Sequence, residues 1–167
     1  MLSHHPEKML WAVLFMLMTG GFMAACARAG SMPETFTFAF GSEYTLEKTH
    51  DLVTIAYRPA WGDAQRPPDT AFEEVQAHTV QIPAADAQAL WARIATLEPR
   101  PYQQLADSDF EPTPPDMRHT EYLNWIVDGK TVAAWSREYK FLKPDLRRPL
   151  GLVADAIRAA YEKAAAK

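Results

Sequence analysis

The chain has 167 residues, of which 48% are hydrophobic and 23% charged, the balance of a protein that builds a real core. Its formal net charge of -4 leaves no basic field for nucleic acid, and its single cysteine excludes an internal disulfide framework. Thirteen prolines against seven glycines favour stiff loops over flexible linkers.

The first eight residues are polar, with Lys8 as the only fixed positive charge. Residues 9–18 (MLWAVLFMLM) are uninterruptedly apolar, and Thr19, Gly20 and Gly21 then break the helical tendency. A polar start, an apolar middle and a small-residue end form the pattern of a secretory leader. The next residues, Met23-Ala24-Ala25-Cys26, resemble the lipobox of bacterial lipoproteins. Ala24, Ala25 and Cys26 match that pattern, whereas Met23 stands where leucine is usual.

The resemblance implies a signal peptide over residues 1–25, a diacylglycerol on Cys26, a tether over 26–33 and a domain over 34–167. It also implies a membrane partner through the lipid and a periplasm-facing location. Ala27 in place of an aspartate favours the outer membrane. Two alternatives stay open. Ala27-Arg28-Ala29 also reads as an A-x-A cleavage site that would release a soluble protein. An uncut apolar stretch would just reach the ~20 residues of a membrane span.

Within the domain, residues 34–40 (ETFTFAF) alternate Phe36, Phe38 and Phe40 against Thr35, Thr37 and Ala39, which predicts a half-buried strand. Residues 52–58 repeat the pattern with Val53, Ile55 and Tyr57, and Pro59 ends the strand. Residues 75–82 predict a third strand, with His78 half-buried beside Val80 and Ile82. Pro83 then opens a helix whose Ala87, Leu90, Trp91, Ile94 and Leu97 fall on one stripe.

The proline-rich stretch 99–120 reads as irregular. Residues 121–127 and 131–141 flank Asp128-Gly129, a dipeptide that accepts positive φ at both central turn positions, and so predict a hairpin. Trp135, Tyr139 and Phe141 share one face of its second strand. Pro149 opens a last helix with Leu150, Val153, Ile157 and Tyr161 inward. The order β-β-β-α-β-β-α predicts an α+β fold, a single antiparallel sheet of about five strands with two helices packed on one face.

Catalytic signatures are sparse. The acidic run Asp107-Ser108-Asp109-Phe110-Glu111 opens like a calcium loop, but Pro112 and Arg118 occupy the places of the required glycine and glutamate. It is expected to supply turn and cap interactions. His50, Asp116 and His119 are the weak candidates for a metal or acid-base cluster. No nucleophile elbow or clustered-glycine phosphate cradle occurs, and no cofactor is expected.

The remaining signal is a sheet face left bare by the helices. Arg58, Tyr122, Arg137 and the loop residue Trp61 are its candidate binding residues, for a peptide, a glycan or an envelope protein. The expected function is a non-catalytic binding module of the cell envelope. An envelope enzyme or metal-binding protein using His and Asp residues near 99–120 is the alternative.

Overall fold

The computed structural model describes residues 31–41, 43–58, 78–114 and 120–167. Strand β1 (Thr35–Phe40) forms because its phenylalanines can all be buried from one side, and Phe36, Phe38 and Phe40 are each less than a tenth exposed. It lies inside a six-stranded sheet with β2 (Tyr44–Thr49), β3 (Leu52–Tyr57), β4 (His78–Gln81), β6 (Thr120–Val127) and β7 (Lys130–Glu138). The strand order is β4-β3-β2-β1-β6-β7, and every pairing is antiparallel.

Register carries the alternation of β1 outward to its neighbours. Phe38 stands opposite Leu46 on β2 and Trp125 on β6, and Leu46 stands opposite Ile55 on β3. Phe38, Leu46, Trp125 and Ile55 therefore point to one face, and all four are buried. On that face each β1 phenylalanine meets a tryptophan. Phe36 meets Trp91 at 5.1 Å between ring centroids, Phe38 meets Trp125 edge-on at 5.9 Å, and Phe40 meets Trp135 edge-on at 6.4 Å. Such pairs each add ~0.5–1.5 kcal/mol beyond area burial.

Helix α1 (Ala84–Ile94) covers the face with the expected stripe of Ala87, Leu90, Trp91 and Ile94, and Pro83 is its N-cap. After the single turn α2 (Arg100–Gln103) and the strands β5 (Phe110–Pro112) and β8 (Lys140–Leu142), helix α3 (Pro144–Ala165) packs against α1 and strands β1–β4. Its inward residues are Leu150, Val153 and Ile157. Lys163 Nζ lies 2.9 Å from Asp86 Oδ2 and joins the two helices. No helix among the described residues is long and apolar enough to cross a membrane.

The α+β class and the helix-covered antiparallel sheet agree with the sequence, and four details correct it. Residues 44–49 form the additional strand β2. The long strand expected over 131–141 is two strands, because Tyr139 takes φ 56° and turns the chain. Tyr139 is consequently 54% exposed rather than buried beside Trp135. The stretch 99–120 contains α2, a 3-10 turn over Asp107–Asp109 and β5, which pairs with β8 in a separate two-stranded sheet. The last helix begins at Pro144 rather than Pro149, since Pro144 already has the φ a first helical turn needs. Pro149 withholds one N–H from the helix, and the residue four before it, Asp145, is exposed.

The Asp128-Gly129 turn forms as expected, with φ 48° and 72°. Asp128 Oδ1 accepts the N–H of Thr35, which ties this hairpin to the start of β1. Asp109 Oδ2 accepts the N–H of Ala106, and Lys140 Nζ lies 3.2 Å from Asp107 Oδ1, so these acidic residues do fill turn and pairing roles.

Opposite parities of β1 should respond very differently to truncation. Phe38→Ala is expected to cost ~3–5 kcal/mol by leaving a cavity, and Thr37→Ala only about 0.5 kcal/mol. Urea denaturation followed by circular dichroism checks the contrast.

Candidate binding face

The parity that sends Phe36, Phe38 and Phe40 toward the helices sends Thr35, Thr37 and Ala39 to the other side. By the same register this second face also receives Thr45 and Glu47 from β2, Ala56 from β3, and Tyr122 and Asn124 from β6. Arg58 continues the parity of Ala56 just past the end of β3, held by its N–H donating to the Glu43 carbonyl at 2.8 Å. Together with Glu43 these groups line an open hollow of about 320 Å3.

Tyr122 organises the hollow. Its side chain hydrogen-bonds that of Thr45, two strands away, so the phenol crosses β1. Ala39, the small residue between Thr45 and Asn124 in the register, makes the crossing possible and is itself only 2% exposed. A threonine or phenylalanine at 39 would stand in the way of the ring.

Burial raises the Tyr122 phenol above its ordinary 10.0, while the Thr45 hydrogen bond and the positive charge of Arg58 act in the other direction. The phenol therefore stays protonated in neutral solution. It offers a donor beside a guanidinium, an amide, hydroxyls and two carboxylates. The set combines an aromatic ring that can stack with polar groups that can hydrogen-bond.

The sequence-derived candidates divide by position. Arg58 and Tyr122 both line this hollow. Arg137 does not, because it stands opposite Glu121 with its side chain toward the helix-covered side. There its guanidinium lies 5.4 Å from the centroid of Phe110. Trp61, Cys26, Asp116 and His119 lie outside the described residues.

His50 occupies the β2–β3 turn with φ 54°, exposed, its Nδ1 3.2 Å from Glu34 Oε1. Thr120, where β6 begins, is at the opposite end of the sheet from that turn. His78 is exposed on the edge strand β4 rather than half-buried. Among the described residues no group of three His, Cys, Asp or Glu side chains is placed to hold a metal.

Thr45, Asn124, Glu43 and Glu47 were not among the sequence candidates. Parity was a signal for Asn124, which shares that of Tyr122 on β6. Thr45 and Glu47 flank Leu46 on a strand with no clear alternation to reveal them. No family model matches the chain, and no curated protein or solved structure is significantly similar to it.

The pH dependence of stability follows from the tyrosines. Burial raises the phenols of Tyr122, Tyr102 and Tyr44 above 10.0. Above pH ~10 the unfolded chain then binds fewer protons than the folded one, so stability is intact below that pH and falls as pH rises further. Absorbance titration of phenolate should show Tyr122 ionising late. Thr45→Val and Arg58→Ala should each delay it further, since each removes an influence that favours ionisation.

Proposed function

We propose that the chain is a cell-envelope protein held to a membrane, preferentially the outer membrane, by lipid on Cys26. Its domain acts there as a non-catalytic binding module. The recognition surface is the open sheet face around Arg58 and Tyr122, and its partner is an envelope protein, a peptide or a glycan.

The observation that carries the binding role is the hollow itself. Six strands could have buried both faces under helices, but α1 and α3 pack on one side, and the other side gathers a tyrosine, an arginine, an asparagine and two glutamates. A core needs none of these groups, whereas tyrosine and arginine are enriched at recognition surfaces. The leader supports the location, because its apolar segment is followed directly by the small residues and the thiol of a lipobox. Tethering would also raise the local concentration of the domain for partners fixed in the same envelope.

Two experiments test the two parts of the proposal. Expressed in a bacterial host, the chain should incorporate labelled palmitate and sediment with membranes, and Cys26→Ser should lose both properties. Retention of label in Cys26→Ser would refute lipidation at that thiol. For the face, a photo-crosslinking amino acid at Asn124 should yield a discrete adduct in the envelope that Arg58→Glu abolishes. The same amino acid at exposed Ala159 on α3 should yield none. Equal adducts at both positions, or none at Asn124, would refute recognition through the face.

A further inference from the structure

A second concavity lies on the helix-covered side, away from the sheet hollow. It is a groove of about 630 Å3 between the end of β1, strand β8 and the first turns of α3. Phe40, Phe141, Leu142 and Leu152 provide its apolar surface, and Arg147 and Arg148 its positive charge. Leu152 at its rim is 58% exposed.

Arg147 is fixed in place from behind. Its Nε donates to Glu121 Oε1 at 2.6 Å, and its guanidinium carbon lies 5.1 Å over the Phe141 ring. Glu121 is 1% exposed, and its other oxygen accepts the N–H of Leu142. Both carboxylate oxygens are therefore engaged, while Arg147 remains about half exposed. Neither terminal nitrogen of Arg147, nor the guanidinium of Arg148, has a partner among the described residues. A guanidinium held through Nε and stacked on a ring presents its two remaining nitrogens as a ready fork for a carboxylate.

The geometry points to this groove as a site for a single-chain anionic amphiphile of the fatty-acid class. The carboxylate sits at Arg147 and Arg148, and the alkyl chain lies along Phe40, Phe141 and Leu152. An extended peptide is a poorer match. Peptides dock on strand edges through main-chain hydrogen bonds. Here the Leu142 N–H is already given to Glu121, and the Gly41 N–H to the Tyr122 carbonyl. The volume falls in the range of about 300–1,000 Å3 usual for small-molecule sites. Glu111 and Asp155 also line the groove, and Asp155 is occupied by Arg158 at 3.3 Å.

Gly151 supplies the discriminating variant. It lines the groove within α3, and a Cβ placed there meets nothing within 4 Å. Gly151→Leu therefore fills the groove while improving helix propensity. The test uses the full chain in phosphatidylcholine nanodiscs, titrated with carboxyl-13C laurate or its methyl ester and followed by 13C NMR. A protein-bound carboxyl resonance should saturate at one laurate per chain, and the ester should give none. Gly151→Leu should weaken binding at least tenfold with an equal or higher thermal midpoint, and Arg148→Gln should weaken it several-fold.

The proposal is overturned if acid and ester bind alike, if laurate gives no bound resonance, or if Gly151→Leu binds as the parent does. Loss of laurate binding on changing the discs to phosphatidylglycerol would assign the groove to two-chain acidic lipids and equally overturn it.

Discussion

Three phenylalanines at alternate positions of one interior strand must be buried together, and everything else in the domain accommodates that demand. Strand parity allows them a single side. Both neighbouring strands must then present apolar residues at the matching rungs, as Leu46 and Trp125 do on either side of Phe38. Helices α1 and α3 must lie over that side, and Trp91 on α1 meets Phe36 directly. A slip of one residue in either pairing would turn Leu46 or Trp125 to solvent, so packing and register specify one another. The same parity leaves Thr37 and Ala39 on the far side, where the absence of bulk gives Tyr122 its path across β1. Core and candidate binding face are thus two consequences of one alternating segment.

The small sheet is joined to this frame by electrostatics as well as packing. Strand β8 pairs with β5 along one edge, and its other edge offers the Leu142 N–H toward β6. Glu121, at the inward parity of β6, accepts that donor and then pairs with Arg147 as α3 begins. One buried carboxylate therefore connects the main sheet, the small sheet and the last helix. With the carboxylate buried and the guanidinium half exposed, the pair is not in itself a large source of stability, since desolvation offsets much of its attraction. Its effect is positional: it determines where the chain enters α3, and it orients the guanidinium at the groove.

Much of this was legible in the residues. Period-two alternation located β1, β3, β6 and the core side of the sheet, the Asp128-Gly129 dipeptide located the hairpin, and the helical stripes of α1 and α3 named their buried residues. Strand β2 was not legible, because Glu47, Lys48 and its threonines leave Leu46 as its single fully buried residue. The break at Tyr139 was not legible either, since a tyrosine in the left-handed region has no local signature. Arg137 could have been placed correctly. It shares the parity of Trp135, which points inward, and that parity outweighs the expectation that a charged side chain faces away from the helices. Glu121 carried the same signal, sharing the parity of Leu123 and Trp125, but a carboxylate among core positions reveals its purpose only once Leu142 and Arg147 are brought beside it.

One parity of the interior strands is packed under the helices, and the other lines an open hollow. Single cysteines placed in a Cys26→Ser background, at Thr37, Ala56 and Asn124 on one parity and at Phe38, Ile55 and Trp125 on the other, measure this directly by maleimide labelling of the folded full chain. Rapid labelling of the first set and protection of the second is the expected result. Protection of Thr37, Ala56 and Asn124 to the same degree as their inward neighbours would contradict the account, because the face assigned to recognition would then be closed.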